Sequence, residues 1–212
     1  AGTGGIVASS ATNSTAEVAS SGTATLDTTG QVGSGTNRIQ FDATTTPSSL
    51  VVGSTRVPAA TGVFLDGLGA LTLGAVNTNA VDLNVTAAGT LTIGAAITAA
   101  GAGNVNFTTS GATKDISFNS GVVVTAPLLT LSGTGSALFN SGTVTLNTPV
   151  TANLTVSVGG GTVNFNGASV SSLTSLSLSS GTLQGAGNVT VNGTFNWIGN
   201  STIAGTGTLI TN

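Results

Sequence analysis

The chain has 212 residues, no Cys, no His, and only nine charged side chains, three basic and six acidic, for a net charge of −3. Disulfides, thiolate metal sites and imidazole ligands are thereby excluded. So are nucleic acid and an anionic membrane surface as partners, because each needs a clustered basic face. Disorder is excluded by the opposite feature, since Val, Ile, Leu, Phe and Thr are abundant and fall in short runs.

Taken in chain order, residues 1–21 are the least regular stretch, with Ile6, Val7 and Val18 as the only large apolar anchors. They fit an irregular cap, a linker or a strand exchanged with a neighbouring chain. Ala1-Gly-Thr-Gly-Gly5 is not the opening of a signal peptide, so the chain reads as a processed or excised segment. From Gly22 onward extended phrases begin: Thr23–Asp27, Arg38–Asp42, Leu50–Val52 and Val63–Asp66. Their spacing is uneven. Longer connections are expected around Thr44-Thr-Thr-Pro-Ser48 and Ser54-Thr-Arg-Val-Pro58, where Pro cannot take a central ladder position.

From Gly67 the rhythm tightens into apolar pairs and triples spaced by two, such as Leu71/Leu73, Val105/Phe107, Val144/Leu146, Leu176/Leu178 and Phe195/Trp197. A spacing of two puts both side chains on one face of an extended strand. Turn dipeptides such as Asn166-Gly167 and Asn192-Gly193 separate the runs. No 3.6-residue periodicity is sustained, and no apolar run approaches the length of a membrane-spanning helix. Strands about 8 to 15 residues apart leave no room for helical crossovers, so the choice lies between an antiparallel sandwich or barrel and a parallel β-helix.

Two internal echoes decide it. Gly69-Ala-Leu-Thr-Leu-Gly-Ala75 is rewritten twenty residues later as Gly89-Thr-Leu-Thr-Ile-Gly-Ala95. Gly101-Ala-Gly-Asn-Val-Asn-Phe107 returns as Gly185-Ala-Gly-Asn-Val-Thr-Val191, a separation that four such periods cover. Equivalent residues of a solenoid stack on one another and so converge in identity; those of a sandwich do not. The expected fold is all-β, a single parallel β-helix solenoid over residues 22–212, with roughly ten coils of about 20 residues and no substantial helix. At about 4.8 Å per coil, ten coils make a rod of about 50 Å. Leu73 and Ile93 are expected on adjoining rungs. Asn104, Asn106, Asn119, Asn140, Asn147, Asn164 and Asn166 are candidates for stacked side-chain ladders.

Phrases such as Gly69–Ala75, Gly142-Thr-Val-Thr-Leu-Asn147 and Ser180-Gly-Thr-Leu-Gln-Gly-Ala-Gly-Asn-Val-Thr-Val-Asn-Gly-Thr-Phe-Asn-Trp197 resemble the repeats of filamentous-haemagglutinin-like exoproteins and autotransporter passenger domains. The resemblance runs from about Gly67 to Asn212. It implies a right-handed β-helix, bacterial secretion and a role in adhesion or scaffolding at the cell surface. The secretion domain of such proteins is not in this sequence.

Candidate chemistry is sparse. Glycoside cleavage needs two facing carboxyl groups, and the pairs Asp27/Asp42 and Asp66/Asp82, each separated by less than one coil, stack on neighbouring coils only if coil lengths cooperate. The plainer expectation is that each Asp ends a strand and satisfies turn amides. The Gly-Gly-x-Gly-x-Asp pattern of calcium-binding β-rolls is absent, so no metal, cofactor or catalytic residue is expected, and the chain is not expected to be an enzyme. Trp197, the only Trp, is expected to be a buried aromatic of the terminal coil rather than a sugar-stacking face. Lys114-Asp115 reads as a solvated turn pair, and Arg38 and Arg56 are the basic residues best placed for a specific contact, with an ordinary surface role favoured. Thr-x-Thr pairs at Thr23/Thr25, Thr143/Thr145 and Thr206/Thr208 are too sporadic for an ice-binding rank and follow from β-propensity. Asn-x-Ser/Thr sequons, including Asn13, Asn84 and Asn153, are common in so Asn- and Thr-rich a chain.

The expected function is therefore a non-enzymatic extracellular structural protein, an adhesin stalk or filament subunit. Its partners are copies of itself meeting end to end, or neighbouring segments of a longer chain, with surface glycans as further ligands and no membrane insertion. The alternative is a glycan-binding or glycan-cleaving β-helix using the Asp27–Asp66 face.

Overall fold

The twenty-residue echo is the register of a parallel sheet: Leu71, Thr72 and Leu73 lie beside Leu91, Thr92 and Ile93. Leu73 and Ile93 are on adjoining rungs, both fully buried, as the repeat requires. The computed structural model describes residues 5–28, 30–53 and 62–212, and among them are twenty-two strands, numbered in chain order, and no helix. The connection expected at Ser54–Pro58, with Arg56, lies outside the described residues.

All pairings are parallel, and the strands stack into three sides. The first side holds β2 (Ile39–Phe41), β4 (Val63–Gly67), β6 (Leu83–Ala87), β9 (Val105–Thr109), β12 (Leu129–Ser132), the first halves of β15 (Val150–Val158) and β17 (Ser171–Leu178), then β19 (Val189–Val191) and β22 (Leu209–Thr211). The second holds β1 (Thr23–Asp27), β3 (Ser49–Gly53), β5 (Leu71–Asn77), β7 (Leu91–Ile93), β10 (Ile116–Phe118), β13 (Ser136–Leu138), the second halves of β15 and β17, and β20 (Phe195–Trp197). The third runs from the end of β5 through β8 (Ile97–Thr98), β11 (Val123–Thr125), β14 (Thr143–Asn147), β16 (Thr162–Phe165) and β18 (Thr182–Gln184) to β21 (Thr202–Ile203).

Seven complete three-sided turns result, from Val63 to Thr208, not the ten expected. At about 4.8 Å per turn they rise about 34 Å. The turns are unequal in length. Between Val105 and Val189 the first side passes through Leu129, Val150 and Ser171, so the second echo is indeed four turns apart, the first of them the longest and the last the shortest. The count fell short because the N-terminal coils are longer than any of these: Thr23 has to travel to Ser49, and Ile39 to Leu65, before the chain meets itself.

Alternation along each strand sends one set of side chains inward, where they form continuous columns. One column on the second side runs Ala24, Leu50, Leu73, Ile93, Phe118, Phe139, Val158, Leu178, Trp197, with the Phe118 and Phe139 rings stacked at 4.7 Å. Another on the first side runs Ile6, Val32, Val63, Leu83, Val105, Leu129, Val150, Ser171, Val189, Leu209. Burying each large member contributes about 1.5–3 kcal/mol, which replaces the disulfides this chain lacks. Ser171 is the polar intruder. It is buried, and its hydroxyl accepts the Val150 N–H at 3.0 Å.

Glycine marks the corners because successive rungs touch there. A Cβ on Gly89 would collide with the Ala70 nitrogen and the Gly69 carbonyl carbon, which explains the glycine opening both copies of the twenty-residue phrase. Gly185 has φ +133°, and a Cβ there would collide with the Phe165 carbonyl oxygen.

The N-terminal segment is an incomplete first coil on the first side. Ile6 bridges Val32, and Val18 bridges Phe41, each as an isolated pairing. Between them, residues 9–17 pass over the outside of β2, where Thr12 N–H bonds the Thr36 carbonyl at 2.9 Å and Asn13 N–H bonds the Gln40 Oε1 at 2.8 Å. All three residues of β2 are therefore buried, including Gln40.

Candidate functional site

The carboxylates serve the backbone. Asp42 Oδ1 accepts Thr44 N–H and Thr44 Oγ1 at 2.8 Å each and Thr45 N–H at 2.6 Å. The Thr45 amide first, then the Thr44 hydroxyl and amide, hold its carboxyl below the ordinary range, against a smaller opposing effect of desolvation. Asp82 Oδ1 accepts the Asn104 N–H of the next rung at 2.7 Å, and Asp115 Oδ1 accepts the Ser136 N–H of the next rung at 2.8 Å. Asn188 and Asn166 do the same for Thr208 and Ala186, at 2.9 and 3.3 Å. A neutral amide fills the position as well as a carboxylate, so the role there is geometric.

Neither stacked acid pair forms. Asp27 is on the second side in β1, whereas Asp42 follows β2 on the first. Asp66 lies beside Thr86, while Asp82 precedes Leu83, which lies beside Val63. The two acids are thus offset by four positions on adjoining strands, about 13 Å and beyond the ~5–9.5 Å that glycoside cleavage uses. Asp27, Asp42 and Asp66 do not share one face.

A cluster that the sequence did not announce surrounds Gln40. Its side-chain amide donates to Asp66 Oδ2 at 3.0 Å and to the Asn13 carbonyl at 2.5 Å, and its backbone N–H donates to Glu17 Oε2 at 2.8 Å. Glu17 Oε1 is buried and has no hydrogen-bond partner. Arg38 braces the same region: Nη1 reaches the carbonyls of Leu65 at 3.2 Å and Asn84 at 3.4 Å, and the guanidinium lies 5.9 Å from the centre of the Phe64 ring. It spans two rungs. Lys114 is exposed, in the turn that Asp115 closes onto the next rung.

Trp197 corrects the sequence expectation. Its register beside Leu178 points it inward, yet it is 56% exposed, because no described rung lies above it. Its ring stacks on Phe195, with ring centroids 6.3 Å apart, and donates Nε1–H to the Ser201 carbonyl at 3.4 Å. Phe195, Ile203 and Leu209 are the other half-covered inward residues of that end.

The Thr-x-Thr pairs are scattered, with Thr23/Thr25 on the second side, Thr143/Thr145 on the third and Thr206/Thr208 at a corner before β22. Asparagines stack in pairs rather than long ladders: Asn106 Nδ2 donates to Asn84 Oδ1 at 3.1 Å, Asn212 to Asn192 at 3.2 Å, and Asn164 to Thr145 Oγ1 at 3.2 Å. Of the expected ladder residues, Asn106 and Asn164 make such a contact, while Asn166 turns to a backbone amide.

Among the described residues no three acidic groups gather as a metal site. A hollow beside the N-terminal segment, lined by Gly5, Val7, Ala8 and Gln31 among others, encloses about 210 Å³, below the ~300–1,000 Å³ of small-molecule clefts. The chain matches no family model, no curated protein and no solved structure.

Proposed function

We propose that this chain is a non-enzymatic extracellular structural rod, serving as an adhesin stalk or as the subunit of a cell-surface filament that lengthens through its ends. The observation that carries the reading is the unbroken three-sided stack of parallel strands, in which like apolar side chains pile into continuous interior columns. The surface supports it too, since no charged side chain follows Asp115, and small soluble domains ordinarily rely on charge to stay apart. The resemblance of the Gly67–Asn212 phrases to filamentous-haemagglutinin-like and autotransporter repeats points the same way. Parallel strands on three sides also suit a mechanical part, because each rung is held by ladders above and below.

Electron microscopy of the purified chain over a range of concentrations tests the filament reading. Unbranched rods one solenoid wide, longer at higher concentration, are expected. Particles of single-chain length at every concentration would remove the filament and leave the stalk.

A further inference from the structure

Two Asn-Gly pairs occur in the sequence, Asn166-Gly167 directly after β16 and Asn192-Gly193 directly after β19. An asparagine followed by glycine can modify itself: the main-chain nitrogen of the glycine attacks the asparagine Cγ, and without a Cβ nothing on the glycine shields that approach. In a folded chain the outcome depends on how the asparagine side chain is held. The two corners hold theirs differently.

At Asn166 the Oδ1 reaches the next rung and accepts the Ala186 N–H at 3.3 Å. That donor polarises the side-chain carbonyl and is in place for the negative charge that gathers on Oδ1 as Cγ is attacked. The Nδ2, which must leave, belongs to an exposed side chain and has no acceptor among the described residues. At Asn192 the Oδ1 also has a donor, the Asn212 side-chain amide at 3.2 Å, but here the Nδ2 is engaged: it donates to Ser172 Oγ at 2.9 Å. Neither glycine donates its own N–H in a backbone hydrogen bond among the described residues, so both attacking nitrogens are free. The difference lies in the leaving group. Departure costs a hydrogen bond at Asn192 and none at Asn166.

We propose that Asn166-Gly167 is a site of spontaneous deamidation in the folded chain, with water as the only co-reactant, and that Ser172 protects Asn192-Gly193 from the same reaction. A bond forms between the Gly167 nitrogen and Cγ, the Cγ–Nδ2 bond breaks, and ammonia leaves with the proton of the Gly167 N–H. Nothing is oxidised or reduced. Water then opens the cyclic imide, at Cγ to give Asp or at the main-chain carbonyl to give isoaspartate. The fold already accommodates the first product, since Asp82 and Asp115 accept the amide of the next rung, at 2.7 and 2.8 Å, as Asn166 does. It opposes the second, which lengthens the main chain beside Gly167, where even a Cβ would collide with the Pro149 nitrogen and the Thr148 carbonyl carbon. Conversion places a negative charge in the stretch beyond Asp115, which has none, and added acidic charge keeps chains in solution apart. The inference is independent of the rod reading.

The purified chain is incubated at physiological temperature and mildly alkaline pH in heavy-oxygen water, folded and in denaturant, and each asparagine is followed by peptide mapping and mass spectrometry. Both pairs are expected to convert in the unfolded chain. In the folded chain Asn166 is expected to convert several-fold faster than Asn192, each scaled to its unfolded rate. Ser172→Ala is expected to raise the Asn192 rate several-fold and to leave Asn166 unchanged, which also reports that the fold is intact. Asn166→Asp is expected to keep the denaturation midpoint of the parent. An Asn166 that stays intact in the folded chain while the unfolded chain converts overturns the site. Asn192 converting as fast as Asn166, or unmoved by Ser172→Ala, overturns the protection by Ser172. A lowered midpoint in Asn166→Asp overturns the fit of the Asp product.

Discussion

The first coils and the seven later turns are built from the same strands, yet they are stabilised differently. From Val63 to Val191 each rung lies between two others, the chain returns to itself after a short circuit, and almost everything inward is aliphatic or Phe. Before it, the circuits lengthen and bridges stand alone. Here a polar network substitutes for the missing neighbour: Gln40 is tied to Asn13, Glu17 and Asp66, and Arg38 reaches two carbonyls on successive rungs. The charges thin out along the chain as well, five of the nine preceding Val63 and none following Asp115. A rung in the middle of the solenoid is specified by its neighbours' side chains; the N-terminal coils are specified in addition by their own polar groups.

The largest effect that sharpens this contrast is a cavity in the regular turns. Phe139 is fully buried and stacked on Phe118, so Phe139→Ala is expected to cost about 3–5 kcal/mol in chemical denaturation. Leu26→Ala in β1 is only half-buried and is expected to cost clearly less. Equal losses would mean that the first coils are packed as tightly as the later ones.

Next in size is the corner at Gly185. With φ +133° and the Phe165 carbonyl standing where a Cβ would have to go, Gly185→Ala must move a rung and is expected to cost about 1–3 kcal/mol. Gly22→Ala, with open space around it and no positive φ, is the matched control in the irregular region and is expected to be nearly silent. A silent Gly185→Ala would show that the corners yield.

These two positions also show what could be read from residues alone. The stacking of Leu73 on Ile93 follows from a repeated phrase, because like side chains in one column converge on one identity. The glycines of that phrase were visible as turns, but the close approach that requires them needs two rungs to be seen at once. Trp197 was misread for the same reason: period two gives the direction of a side chain, while burial depends on the rung above it. Coil number was overestimated because the spacing of the regular part was carried into longer N-terminal coils. Gln40 had no signal at all. It is buried by residues 9–17 folding over the outer face of β2, a tertiary event with no periodicity behind it.

A smaller effect concerns the polar outer face. The Asn84–Asn106 contact at 3.1 Å is half-buried, and Asn106→Ala is expected to cost about 0.5–1.5 kcal/mol. Asn196→Ala, on the exposed last rung of the second side, is expected to cost less than that, measured by the same denaturation midpoint. If the two are equal, stacked amides contribute nothing beyond what solvent supplies.

The smallest effect separates the two regions by pH. Asp42 accepts three hydrogen bonds from Thr44 and Thr45, and its carboxyl is held below the ordinary value of 3.8. A carboxyl depressed in the folded chain contributes stability that is complete above its unfolded pKa and is lost as pH falls through the folded one. The contribution therefore fades only in acid, and full solvent exposure keeps it small. Following amide resonances by NMR from neutral pH downward, Thr44 and Thr45 are expected to move together below the ordinary carboxylate range, and to stay still in Asp42→Ala. Amides well beyond Asp115, in turns without acidic or basic side chains, are expected to remain flat until the fold itself is lost. A Thr45 amide that titrates at or above the ordinary value would mean that the Asp42 turn opens in solution, and that the first coils are held by less than the bonds around Asp42 and Gln40.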